Sequence, residues 1–131
     1  MTFQEFGFRP GASEDGLAHT EALIRRVQTA RKIRANFFGE DLFADPAWDM
    51  LLELYANDLA QQRVSVSSTS DAAGVPLSTA LRWMAALEKR SLVERKSDPF
   101  DGRRVWISLT AHGASLMHRY FTATAITSLT R

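Results

Sequence analysis

Few residues in this chain are spaced for catalysis. His112 and His118 stand six apart, so they do not share a helix face as metal ligands three or four apart would, and His19 is far away in sequence. Asp41, Asp45 and Asp49 fall at four-residue steps, but Asp45 precedes Pro46 and suits a helix cap better than a carboxylate site. There is no cysteine, which removes disulfides, thiolate metal sites, thiol nucleophiles and thiol redox sensing together. No Gly-x-Ser-x-Gly, phosphate-loop or dinucleotide fingerprint occurs. Gly7-Phe8-Arg9-Pro10-Gly11 lacks both the spacing and the following helix. No catalytic residue, metal site or cofactor is therefore assigned, and an enzyme is not expected.

The remaining chemistry is that of holding a phosphate or a base edge. The formal net charge is only +1, yet residues 17–38 carry +4, residues 39–62 carry −6 and residues 76–110 carry +3. Local basic faces, rather than totals, set an electrostatic footprint. With residues 77–90 placed 100° apart, Leu77, Ala80, Met84 and Leu87 share one face. Ser78, Arg82, Ala85 and Lys89 share the opposite one, flanked by Thr79 and Ala86. No acid sits there. Two hydroxyls and an arginine near the helix start can reach phosphates or bases, and two alanines let the helix sit deep. A paired arginine–guanine contact discriminates by about 1–3 kcal/mol. Taken alone, the same face also fits an ordinary solvated helix.

The elements around this face can be read from periodicity and turn chemistry. The chain has 131 residues, 45% of them hydrophobic, which suits one domain. Residues 1–16 contain Gly7, Pro10, Gly11 and Gly16 without a helical period and read as a flexible arm, whose Phe3, Phe6 and Phe8 are expected to dock on the domain or on a second subunit. The domain proper is 17–131. A helix is expected over 17–38, with Leu23, Ile24, Val27, Ala30, Ile33 and Phe37 at helical steps and Gly39 as its C-cap. Its basic run from Arg25 to Arg34 can touch phosphates, but a solvated face, or pairing with the acidic segment 39–62 of either subunit, is the favoured reading. A second helix begins at Asp45-Pro46, buries Trp48, Leu51, Leu52, Tyr55 and Leu59, and turns Asp49, Glu53 and Asp58 to water.

A very short strand follows at 64–66, then a polar helix from about 67 to 73, with Ser68 and Asp71 as a capping box and Gly74 as its end. This helix has almost no large apolar residue, so weak packing is expected. After the helix over 77–90, residues 92–96 and 103–109 form a β-hairpin, with turn-rich 97–102 as a long tip. Thr110 can cap a last helix over about 111–128, with Leu116, Met117, Tyr120, Phe121 and Ile126 as apolar positions. No run approaches 18 apolar residues, so no membrane span is expected and a cytoplasmic location is the default.

Residues 67–90 have the anatomy of a helix-turn-helix, and the hairpin after it is a wing. Such a unit places its second helix in the major groove of DNA. The wing reads Asp98-Pro99-Phe100-Asp101-Gly102-Arg103-Arg104 and leads to Leu109-Thr110 and Gly113. Here the chain resembles the bacterial multiple-antibiotic-resistance regulator (MarR) family, whose wing is typically Asp-x-Arg-Asp-x-Arg before an apolar strand ending Leu-Thr. Asp98, Asp101 and Arg103 stand in register with that motif. Leu77-Ser78-Thr79, Leu87-Glu88-Lys89-Arg90 and Leu92-Val93-Glu94-Arg95 match the stretch of its recognition helix and first wing strand. The resemblance covers about 48–118.

The resemblance implies a mainly α fold with a small β-hairpin: a winged helix-turn-helix, with reader 64–109 and dimerisation helices at about 17–38 and 111–128. It implies a homodimeric, sequence-specific double-stranded DNA-binding transcription regulator. Helix 77–90 would lie in the major groove and wing 96–104 in the minor groove. The candidate DNA contacts are Ser67, Ser68, Ser78, Thr79, Arg82, Lys89, Arg103 and Arg104. Asp98 and Asp101 orient the wing, with Asp101 directing Arg103 into the minor groove and Arg104 available to the adjacent phosphate. The chain departs from the pattern at Phe100, where the family has its first wing arginine, and at Ser91, where glycine is usual. Trp83 and Trp106 are expected in the core, the alternative being an aromatic that stacks on a small aromatic effector in a regulator pocket. A small-molecule effector is a further candidate partner, with Trp48, Tyr55 and Phe37 as lining. The alternative reading is a winged-helix protein-interaction module without its own specific DNA binding.

Overall fold

The described residues form five helices around one small sheet. The structure, a computed structural model, describes residues 14–40, 42 and 44–129. Phe3, Phe6 and Phe8 of the arm, and Asp41, lie outside the described residues. The elements run α1 (Glu14–Phe38), α2 (Pro46–Leu59), β1 (Val64–Ser65), α3 (Val66–Ala73), α4 (Leu77–Lys89), β2 (Val93–Asp98), β3 (Asp101–Leu109) and α5 (Ala111–Leu129). The sheet is antiparallel in the order β1-β3-β2. The expected class, mainly α with a small β-hairpin, is the one observed.

α2 starts as its sequence dictates. Asp45 accepts a hydrogen bond from the Trp48 backbone N–H at 3.4 Å, and Pro46 occupies the first turn, where its missing N–H costs nothing. The helix is buried on more sides than one stripe: Met50, Leu52, Leu54, Tyr55, Ala56 and Leu59 are all in the core. Trp48 and Leu51, expected to be buried, are only half-buried. The three acids do not face water as expected. Asp58 is buried, Asp49 pairs with Arg31, and Glu53 pairs with Arg25 at 2.8 Å. α2 is the central helix, packed against α1, α3, α4, α5 and β3, so few of its faces reach solvent. The basic run of α1 thus pairs with the acidic segment within one chain.

Glu53 also accepts from Gln28 at 3.0 Å and Asn57 at 2.8 Å. Burial pushes its carboxyl up, but those bonds, with the bond and charge of Arg25, outweigh burial and hold it below its usual value of 4.5. A lowered folded-state value stabilises the fold above that usual pKa and is lost as pH falls through the folded value. Urea unfolding of wild type and Glu53→Gln should therefore show a stability gap at pH 7 that narrows towards pH 3. A gap independent of pH would contradict the ionic role.

Two helix boundaries differ from expectation. α1 begins at Glu14, inside the predicted arm of 1–16, because a single glycine such as Gly16 costs a helix only about 1 kcal/mol and does not stop it. α3 begins at Val66, and its cap is Ser65 rather than Ser68: the Ser65 hydroxyl accepts from the Ser68 N–H at 3.0 Å. α3 is also better anchored than its composition suggested. Val66, Thr69 and Ser70 are buried, with Thr69 donating to Ser65 O at 2.9 Å and Ser70 to Val75 O at 3.1 Å. Satisfied hydroxyls take the place of large apolar side chains.

α4 ends in a Schellman motif. Leu92 N–H donates to Leu87 O at 3.0 Å and Ser91 N–H to Glu88 O at 2.9 Å, which puts Ser91 at φ 60°. The departure at Ser91 is therefore a strained serine in a left-handed position that favours glycine. Ser91→Gly should raise stability by about 1 kcal/mol and Tm by about 3–5 °C. A lowered Tm in thermal denaturation would contradict this.

Candidate nucleic-acid interface

α4 turns inward Ala80, Met84 and Leu87, which pack against the core. Its opposite face presents Ser78, Arg82, Ala85, Ala86 and Lys89 to solvent, with Thr79 half-buried beside them. Ser67 and Ser68, on the first turn of α3, are exposed as well. Two residues placed on the inner side are not there: Leu77 is 47% and Trp83 43% exposed. Both lie off the centre of the narrow buried stripe, where neighbouring elements do not close over them. Glu88, on the flank of α4, ion-pairs with Arg95 of β2, tying helix to wing and favouring the charged guanidinium. α4 is thus held from behind and free in front.

The wing is tighter than predicted. β2 and β3 extend to Asp98 and Asp101, so only Pro99 and Phe100 form the tip. Asp98 makes this short turn possible by accepting from the Phe100 N–H at 2.8 Å. The register jumps between the pairs Ser97↔Val105 and Asp98↔Asp101. Gly102, Arg103 and Arg104 consequently bulge out of the ladder, as extra residues in one strand do. Asp101 accepts from the Arg103 backbone N–H at 3.0 Å, and its Oδ1 lies 3.4 Å from Arg103 Nε. Arg103 is nonetheless 94% exposed at its side chain, so it is oriented without being buried. Arg104 Nη1 lies 3.9 Å from Asp98 Oδ2, and its guanidinium sits 5.1 Å from the Trp106 ring centroid. Each wing aspartate therefore steers one wing arginine. Phe100 covers nothing: it is 96% exposed.

Trp106 is a half-buried strand residue, paired with Ser65 and Lys96 rather than sunk in the core. Arg63 lies over its ring at 5.4 Å. Sequence reasoning missed Arg63, because only the return of β1 beside β3 brings it to the wing.

Thr110 joins wing to last helix. Its hydroxyl accepts from the Gly113 N–H at 2.9 Å, as the cap prediction required, and donates to Ser91 O at 2.6 Å. Trp48 and Tyr55, proposed as effector lining, instead meet Phe121 of α5 at 6.4 and 5.9 Å between ring centroids. Neither they nor Phe37 lines either of the two principal clefts. Aromatic side chains at the α2–α5 junction pack on each other because that contact is the larger apolar burial open to them.

A short helix, a turn at left-handed Gly74, an exposed second helix and a β-hairpin wing define a winged helix-turn-helix. Its structural neighbours are MarR-type winged-helix regulators, and this chain has their fold. A mutant of MepR from a multidrug-resistant S. aureus clinical isolate is 23% identical, over 85% of this chain and 79% of that one, with a TM-score of 0.60. The S. aureus MepR–DNA complex is also 23% identical, over 83% and 87%, at 0.59. The PcaV transcriptional regulator from Streptomyces coelicolor is 26% identical, over 82% and 76%, at 0.53, and has also been solved with its natural ligand. No family model and no curated protein matches the chain. Among the described residues, no helix is long and apolar enough to cross a membrane, and no group of three or more metal-ligating side chains occurs.

Proposed function

We propose that this protein is a sequence-specific, double-stranded DNA-binding transcription regulator, not an enzyme, acting in the cytoplasm as a homodimer. The observation that carries the reading is the acid-free outer face of α4 beside a wing whose two arginines are aimed outward by Asp98 and Asp101. α4 enters the major groove, where Ser78, Thr79, Arg82 and Lys89 meet bases and phosphates. Ser67 and Ser68 take backbone phosphates. Arg103 enters the minor groove and Arg104 the adjacent phosphate. DNA bound by MepR in one structural neighbour supports this reading.

Apolar surface supports the dimer: Ile33 and Phe37 on α1, and Leu116 and Tyr120 on α5, are all more than one-third exposed among the described residues. The domain division into arm, reader 64–109 and end helices rests on the same reading. A small-molecule effector would enter the cleft of about 390 Å³ between α1, α2 and the end of α3, whose lining includes Lys32, Arg34, Glu40 and Asp71. A ligand held by PcaV supports that extension.

Selection of bound duplexes from a random pool, followed by salt titration of the winner, tests the proposal. The expected result is a pseudo-palindrome with half-sites about one helical turn apart, and affinity falling steeply with salt. A flat salt response with no enriched sequence would overturn it. The fully exposed Phe100 favours the second reading, a protein-interaction module, whose signature is a stable protein complex that survives high salt without any DNA shift.

A further inference from the structure

Phe100 is the most exposed large apolar residue among the described residues, at 96%. It stands at the apex of the wing, on the two-residue tip between β2 and β3. With Pro99 it borders the groove between the sheet and the end of α2, yet it is not seated there. The tip holds the ring forward. Pro99 has a fixed φ, and Asp98 accepts the Phe100 N–H at 2.8 Å, so mainly the side-chain torsions of Phe100 remain free. Asp98 itself is only 10% exposed at its side chain and lies 3.9 Å from Arg104, so the acid beside the ring presents little negative surface.

Gly102 is the second observation. A Cβ there would meet nothing within 4 Å, and its φ is not left-handed, so the fold itself asks for no glycine. A bare backbone beside an exposed tip lets the backbone of another molecule come close. Beyond it stand Arg103, 94% exposed, and Arg104, half exposed. Within 96–104 the ring has only Pro99 as an apolar companion, whereas protein-docking surfaces are contiguous apolar patches. An isolated ring, a bare backbone and two cations suit a groove walled by sugar and phosphate. Minor-groove proteins push apolar side chains, phenylalanine among them, between base steps and so unstack and kink the duplex.

We propose that Phe100 is such a wedge. It enters the minor groove ahead of Arg103 and partly unstacks one base step on each flank of the site. The inference rests on the reading of the chain as a DNA-binding regulator and assigns the wing a sequence preference of its own. Pyrimidine–purine steps deform most readily, so the wing selects a T-A or C-A step that it never hydrogen-bonds. An arginine at the tip would add charge, whereas phenylalanine adds stacking and requires a deformable step.

The probe is the duplex enriched from the random pool, with 2-aminopurine replacing adenine at each flank step in turn. Its fluorescence rises when the base is unstacked. The comparison duplex carries stiff A-tracts at both flanks. Phe100→Ala and Phe100→Arg leave the fold intact, because the side chain is almost wholly exposed. Wild type should raise the fluorescence at one step per flank, and neither variant should. Phe100→Ala should bind the T-A duplex about tenfold more weakly, within the range of base–aromatic stacking, and the A-tract duplex as wild type does. Phe100→Arg should steepen the salt dependence by about one phosphate contact per subunit. Binding with no rise at any flank step, a rise that survives in Phe100→Ala, or equal losses on both duplexes would overturn the wedge and leave the regulator reading standing. Failure of wild type to bind any duplex would overturn that reading and the wedge with it, so the two failures are told apart.

Discussion

Gly113→Ala is expected to destabilise the protein by about 3 kcal/mol and to lower Tm by about 10 °C. Helix propensity alone predicts the opposite sign. Gly113 sits in the first turn of α5, and alanine there should gain up to about 1 kcal/mol. Sterics decide the matter. A Cβ at Gly113 would lie 2.2 Å from the backbone oxygen of Leu92, and 3.1 and 3.3 Å from its carbonyl carbon and Cα. That oxygen cannot retreat cheaply, because it accepts the Thr110 N–H at 3.0 Å, while Leu92 N–H closes the α4 end on Leu87. The substitution must move α5 or break the α4–β2 junction. Forcing extra atoms into a packed site typically costs about 1–3 kcal/mol, more when backbone must shift. Differential scanning calorimetry checks this, and a Tm equal to or above that of wild type would refute the close approach. Gly74→Ala is a useful contrast. Nothing lies within 4 Å of its Cβ, so only the left-handed φ of 68° is penalised, at about 1 kcal/mol.

The second large effect concerns recognition. Arg82→Ala should cost about 1–3 kcal/mol on the preferred duplex and much less on mismatched ones, so that discrimination collapses towards non-specific binding. Arg103→Ala should instead lose most on duplexes with A·T-rich flanks, because a narrow minor groove concentrates the negative potential that attracts arginine. Asp101→Ala should follow Arg103→Ala in direction with a smaller loss, since it releases the backbone and side chain of Arg103 without removing the charge. Competition binding on a small panel of duplexes, at two salt concentrations, separates the roles. Uniform and equal losses for Arg82→Ala and Arg103→Ala would refute this division between groove and wing.

Much of this was legible in the residues themselves. The 100° spacing over 77–90 placed Ala80, Met84 and Leu87 inward and Arg82 and Lys89 outward, and the structure agrees. Asp45-Pro46, Gly39, Gly74 and Thr110 marked helix ends correctly, because capping is settled within one turn of chain. The alternation Val105, Ile107, Leu109 gave the inner side of β3, and the Asp98 to Gly113 pattern pointed to the right fold.

Other features needed distant neighbours. Asp58 is polar and lies on a helix, yet it is buried because α2 is enclosed by several elements that its own sequence does not mention. Ser65 displaced Ser68 as the α3 cap because β1 ends by pairing with β3, fixing Ser65 in an extended backbone just ahead of the helix. The tip shrank from six residues to two because two aspartates satisfy backbone N–H groups that a longer loop would have left to water. Composition and spacing determined which residues could share a face, cap a helix or turn a chain, since these depend on steps of two to four residues. The tertiary structure alone decided which faces were covered, which charges were paired and how Arg63 meets Trp106, since burial and pairing depend on residues far apart in sequence.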